Sequence, residues 1–71
     1  MAINVEAPMV GKMLRVEKKV CDQVEEDEVV VLMEAMKMEI PVVAPASGIL
    51  KELKVSPGQA VEAEEVLAVI D

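Results

Sequence analysis

"VVVLMEAMKMEI", residues 29–40, occupies the middle of a 71-residue chain and sets one lysine between two methionines and two glutamates. Its opening valines, stiff at χ1, favour a strand. The six residues "EAMKME" (34–39) have good helix propensity when read alone. Whether this stretch is strand–turn–strand or helix is decided by what flanks it.

Shifting the sequence by 37 positions lays residues 1–34 on residues 38–71 without a gap, leaving only Ala35, Met36 and Lys37 between them. Ten of the 34 aligned pairs are identical: Met1/Met38, Ile3/Ile40, Val5/Val42, Ala7/Ala44, Pro8/Pro45, Gly11/Gly48, Val24/Val61, Glu25/Glu62, Glu28/Glu65 and Val29/Val66. The strongest block sets "APMVG" (7–11) over "APASG" (44–48). The chain reads as two copies of one motif and a three-residue joint.

Val and Ile supply eighteen residues, and turn punctuation recurs at Pro8, Gly11, Asp22, Pro41, Pro45, Gly48 and "SPG" (56–58), too densely for long helices. Stretches 12–18 and 49–55 have a tolerable helical period, but only a few residues separate Gly48 from Pro57. The fold expected is all-β. Each half predicts a strand (2–6 and 38–43), an Ala-Pro turn, a second strand (12–18 and 49–55), a very short strand (near Val24 and at 60–61), an acidic turn and a closing strand (29–34 and 66–71). The closing strands are apolar at nearly every position, as expected where both faces are covered. Eight strands in two related halves imply a compact sandwich or flattened barrel with a pseudo-twofold axis, expected to pass near the joint. Lys37 then stands on the tip of a tight hairpin. Met-Lys is poor chemistry for such a turn, whose central residues need positive φ, and a locally unfavourable sequence at an exposed point marks a functional site. The competing reading is one more solubilising surface lysine.

Composition narrows the rest. A chain this short buries only about 60% of its unfolded surface, so its stability is modest. One cysteine, Cys21, rules out an internal disulfide and suits a reducing, cytoplasmic setting. No apolar run is long enough for a membrane span, and the start lacks the pattern of a secretion signal. A net charge of −7, from seven basic and fourteen acidic residues, disfavours nucleic acid and anionic lipid. Without His, Thr, Tyr, Trp or Phe, the usual nucleophile–base pairs and zinc sites are missing. Catalysis by this chain alone is not expected. The runs "EEDE" (25–28) and "EAEE" (62–65) are read as solvated faces, Gly11 and Gly48 as turn glycines, Cys21 as an inert turn residue, and Met9, Met13 and Met33 as core or rim.

"EAMKME" followed by "APASG" closely resembles the attachment site of biotinyl domains, the carriers of biotin-dependent carboxylases and decarboxylases, and the likeness runs over the whole chain. The resemblance implies a flattened barrel of two four-stranded antiparallel sheets. It implies biotin as cofactor, in amide linkage to Lys37. Glu34, Ala35, Met36, Met38 and Glu39 would shape the hairpin and meet a biotin–protein ligase. Biotin carboxylase and carboxyltransferase would be the working partners, between which the carboxyl group is shuttled. A solvated lysine at neutral pH is an ammonium rather than a nucleophile, so the ligase must supply the base. The chain departs from the family at its turns: Cys21, Asp27 and Glu64 stand where glycine is common, and only Gly58 keeps it. The related lipoyl domains usually place Asp before the lysine, which Met36 opposes. Unmodified barrel-sandwich modules of membrane-fusion adaptors carry a helical insertion for which a gapless chain has no room. The opening Met and the lack of an Ala/Pro-rich tail point to a free-standing carrier.

Overall fold

The computed structural model describes residues 2–71. They form eight strands: β1 (Ile3–Glu6), β2 (Gly11–Val16), β3 (Gln23–Val24), β4 (Val29–Ala35), β5 (Met38–Val43), β6 (Gly48–Leu53), β7 (Ala60–Val61) and β8 (Val66–Ile70). The strands make two four-stranded sheets, ordered β1-β8-β6-β3 and β5-β4-β2-β7, with every pairing antiparallel. Among the described residues no helix is long and apolar enough to cross a membrane.

The pairings and turns come in couples offset by 37 residues. Ala7 and Ala44 donate their N–H groups to the Glu65 and Glu28 carbonyls, and Met13 and Leu50 donate theirs to the Gln59 and Asp22 carbonyls. The β4–β5 register, Met33 opposite Ile40, maps onto the β8–β1 register, Ile70 opposite Ile3. The operation therefore exchanges one sheet for the other, and its axis runs between the sheets. An axis at the joint would map the β4–β5 turn onto itself, so the expectation from sequence placed it wrongly.

One apolar core fills the space between the sheets. Val5, Met13, Val24, Val30, Val31, Met33, Leu50, Val61, Leu67 and Ile70 are all but fully buried in it, with Met9 half-buried against it. The unbroken apolar runs of β4 and β8 have a local cause. A bulge in each strand leaves Val30 without a partner on β5 and Leu67 without one on β1, and neighbours Val30 and Val31, like Leu67 and Ala68, enter the same core. A bulge bends its strand and increases the twist, which helps a sheet curl towards a barrel. Matching irregularities skip Leu14 in β2 and Lys51 in β6.

Gly11 and Gly48 are not turn glycines. They open β2 and β6, and neither has positive φ. They are needed for close approach. A Cβ on Gly48 would stand 2.7 Å from Ile70 Cγ2, and one on Gly11 would stand 2.7 Å from Met33 Cε and overlap the Glu34 carbonyl oxygen.

The acidic runs are more than a solvated surface. The Glu25 N–H donates to Glu28 Oε1 and the Glu62 N–H to Glu65 Oε1, each at 2.9 Å, so the last glutamate of each run clamps the turn it ends. Asp22 does the same for the Lys19 N–H, and Gln59 for that of Ser56. Glu28 also pairs with the Lys18 ammonium. This contact holds the Glu28 carboxyl below the usual glutamate range and raises Lys18 above the usual lysine range.

The turns lacking glycine nevertheless keep the left-handed backbone that glycine favours: Cys21 has φ 81°, Asp27 70° and Glu64 67°, beside Gly58 at 88°. A side chain there costs roughly 1–2 kcal/mol, part of which glycine returns as chain entropy. Cys21→Gly, Asp27→Gly and Glu64→Gly should each stabilise the protein by about 0.5–1 kcal/mol, read as a raised urea midpoint at constant slope. The Lys18–Glu28 pair sets a pH window. The Glu28 contribution, from a lowered folded pKa, is present at neutral pH and lost as acidification passes through that pKa. The Lys18 contribution, from a raised folded pKa, is lost only as alkalinity passes above it. Lys18→Met should flatten the melting temperature against pH at both edges, with little change in shape between them.

Candidate functional site

Lys37 lies in the two-residue reversal between β4 and β5. Ala35 and Met38 face each other as the last pair of the ladder, leaving Met36 and Lys37 as the loop. Both loop residues are left-handed, Met36 at φ 53° and Lys37 at φ 63°. This is the primed hairpin turn whose twist matches the flanking strands and which ordinarily calls for Asn-Gly. Two residues that carry a Cβ and have no short polar group to bond the local backbone hold that conformation at roughly 1 kcal/mol or more apiece.

What holds the turn in place lies beneath it. Met33 is fully buried and Ile40 half-buried against the core, two ladder steps below the Ala35–Met38 pair. Ala35, 4% exposed, rests against the core and presents almost no surface. Beyond Ala35 the chain leaves the core abruptly: Met36 is 83% exposed and Met38 65%. The Lys37 side chain is exposed, and among the described residues no carboxylate or hydrogen-bond acceptor holds its ammonium.

Glu34 and Glu39 sit opposite each other across β4 and β5, both exposed, and Lys12 on β2 lies opposite Glu34. Facing glutamates destabilise a strand pair by a few tenths of a kcal/mol. Two acidic groups therefore stand at the base of the hairpin, with Lys12 across the ladder from one of them. Of the six residues singled out in the sequence, five are exposed about one turn; Ala35 alone is buried, and supports the turn from within. Sequence reasoning missed Gly11, whose bare Cα admits the Glu34 carbonyl beside it. Its identity with Gly48 in the repeat was the available signal.

The geometry defines a class: a rigid barrel that displays a lysine amine, without an ionic partner among the described residues, on a strained hairpin. The sequence matches the family described as "Biotin-requiring enzyme" over residues 3–70, and the chain belongs to that family. It is 43% identical over 70 residues to the "Biotinylated protein TB7.3 homolog" of Mycobacterium leprae, covering 99% of both chains. It is 45% identical over 59 residues to the biotin carboxyl carrier protein of acetyl-CoA carboxylase from Solanum lycopersicum, covering 83% of this chain and 84% of that one. The fold superposes on a segment of the Kluyveromyces lactis urea carboxylase with a TM-score of 0.95 and 32% identity, spanning 100% of this chain and 6% of that enzyme.

The strain at the tip is measurable. Replacing both loop residues, Met36→Asn with Lys37→Gly, should stabilise the fold by about 1–2 kcal/mol through relief of left-handed side chains, seen as a higher melting temperature. The variant would lose the amine.

Proposed function

We propose that the protein is a carboxyl carrier whose Lys37 Nζ takes biotin in amide linkage and which itself catalyses no bond-making step. The observation that carries this is an exposed lysine, unpartnered among the described residues, between two exposed methionines at a strained two-residue turn. The family described above, and relatives named as biotinylated or biotin carboxyl carrier proteins, support the same cofactor. The donor chemistry fits: an amide needs one accessible amine, and Lys37 is held by no acceptor among the described residues. When bound, biotin supplies a ureido nitrogen able to hold a carboxyl group.

The chain's own residues then divide the work. Ala35 and the left-handed pair fix the direction in which Lys37 leaves the barrel. Met36 and Met38, flexible and polarisable, offer an adaptable apolar contact to more than one partner. These partners are a biotin–protein ligase, which must also take up the amine proton, and the biotin carboxylase and carboxyltransferase parts of a carboxylase. Glu34 and Glu39 give the hairpin base a charge that a basic partner can read. Tethering makes each cofactor encounter effectively intramolecular, so arm and linker set the local concentration. A lone, exposed Cys21 suits a reducing compartment, and we assign the protein to the cytoplasm on that ground.

Incubation with a biotin–protein ligase, ATP and biotin should add the mass of one biotin less one water to the intact protein. Lys37→Arg should remove the addition entirely while leaving the circular dichroism and melting temperature unchanged. An unmodified wild type beside an active ligase, or modification of a different lysine, would overturn the assignment. A lipoyl ligase run in parallel tests the other cofactor of the family, against which Met36 argues.

A further inference from the structure

We propose that Gly11 is a positioning residue for Lys37, acting through β4: its missing side chain lets β2 close against the base of the attachment hairpin and so sets the hairpin's angle to the barrel. This rests on the carrier function proposed above only in the kinetic part of its test.

Sheet order makes β2 the hairpin's support. β5, the outgoing arm of the hairpin, is an edge strand, and the incoming arm β4 is flanked by β5 and β2. Within its sheet the hairpin is therefore supported sideways by β2 alone. Lys12 of β2 lies opposite Glu34, which puts Gly11 beside the Glu34–Ala35 peptide, two to three residues before the lysine. A Cβ at position 11 would overlap the Glu34 carbonyl oxygen and stand 2.7 Å from Met33 Cε and 3.2 Å from Ala35 Cβ. The Met33 methyl is the end of a flexible chain, though a buried one. The carbonyl belongs to the strand and moves only if β4 moves. Displacement there swings the turn beyond it, because the ladder ends at Ala35–Met38 and Met36 and Lys37 lie outside it. A reacting amine misplaced by about 1 Å can lose on the order of a hundredfold in rate.

The fold supplies its own control. Gly48 occupies the equivalent place in the second half, where a Cβ would meet Ile70 Cγ2 at 2.7 Å and the Asp71 carbonyl oxygen at 3.2 Å. That contact lies beside β8 and touches neither β4 nor β5. Gly11→Ala and Gly48→Ala impose related crowding in one fold, but only the first presses on the hairpin.

Both variants, and wild type, would be assayed for ligase-catalysed biotinylation under initial-rate conditions and for thermal stability. The expected result is a lowered melting temperature in both. The ligase kcat should fall on the order of tenfold or more in Gly11→Ala, with KM changed less, and remain within about twofold of wild type in Gly48→Ala. Amide chemical shifts of residues 34–38, read on unmodified protein, should move in Gly11→Ala and stay in Gly48→Ala. If Gly11→Ala is too unstable to fold, it is placed in the Cys21→Gly/Asp27→Gly background. Wild-type kcat in Gly11→Ala, equal slowing in Gly48→Ala, or unmoved hairpin amides would each overturn the proposal. A wild type that no ligase modifies would instead overturn the carrier function, and the amide shifts would still decide the role of Gly11.

Discussion

Neither half of this chain completes a four-stranded sheet from itself. Of the six strand pairings, β1–β8, β3–β6, β4–β5 and β2–β7 join one half to the other, and only β2–β4 and β6–β8 stay within a half. Each half contributes two strands to each sheet, so the apolar face of one copy finds cover only when the other copy has threaded beside it. The core that results has no buried polar or charged side chain among the described residues, and the burial of apolar surface is the dominant favourable term available to so short a chain. The interlock also dictates what must be accurately placed: the glycines that let strands approach, the bulges that curl the sheets, and the reversal that connects the copies.

That reversal is the single place where the two halves are joined in sequence, and it is also where the fold has no symmetry mate within the chain. Every other tight turn is built twice, and the two copies share their internal hydrogen bonds. The Met36–Lys37 loop is built once, from residues that the turn geometry disfavours. It survives because its strain is local while its support is not: Ala35, Met33 and Ile40 below it belong to a core fastened by strands from both halves. Strain held at one point by a body that over-determines it is a recurring arrangement. Here its effect is to fix where the amine points.

Much of this was legible in the sequence, and the reasons differ from residue to residue. The β class, the eight strands and the position of Lys37 follow from the repeat and its punctuation, because breakers and branched residues constrain backbone whatever the tertiary context. The strand ends drift by one or two residues; strands expected at 12–18 and 49–55 lie at Gly11–Val16 and Gly48–Leu53. Gly11 and Gly48 mislead because a glycine demanded by a neighbouring strand looks, in sequence, like one demanded by its own φ. The clamps Glu28 and Glu65 are hidden by composition: in an acidic run nothing distinguishes a carboxylate that accepts a backbone N–H from one that faces water. The repeat did hold a clue, since Glu25 and Glu28 recur as Glu62 and Glu65 while the residues between them change. The axis is misplaced because sequence order puts the joint midway between the copies, whereas space puts it at one margin of a sheet.

The two copies also separate structure from use. Several residues that both halves keep have matching structural roles in the two copies: the paired alanines, the approaching glycines and the turn-clamping glutamates. One of the places where they part lies beside the hairpin that carries Lys37. The Ser47 hydroxyl oxygen accepts the Glu26 N–H at 3.0 Å and ties its loop to the acidic turn; its counterpart is Val10, 61% exposed and unable to accept such a bond. Val10 immediately precedes Gly11, in the loop that leads into β2 beside the hairpin base, and Met9 in the same loop replaces Ala46. The loop that leads into β2 carries apolar side chains where its twin has a polar tie. The symmetry of the fold is therefore broken beside the hairpin that carries Lys37, where the loop into β2 is apolar and its twin is tied by a hydroxyl.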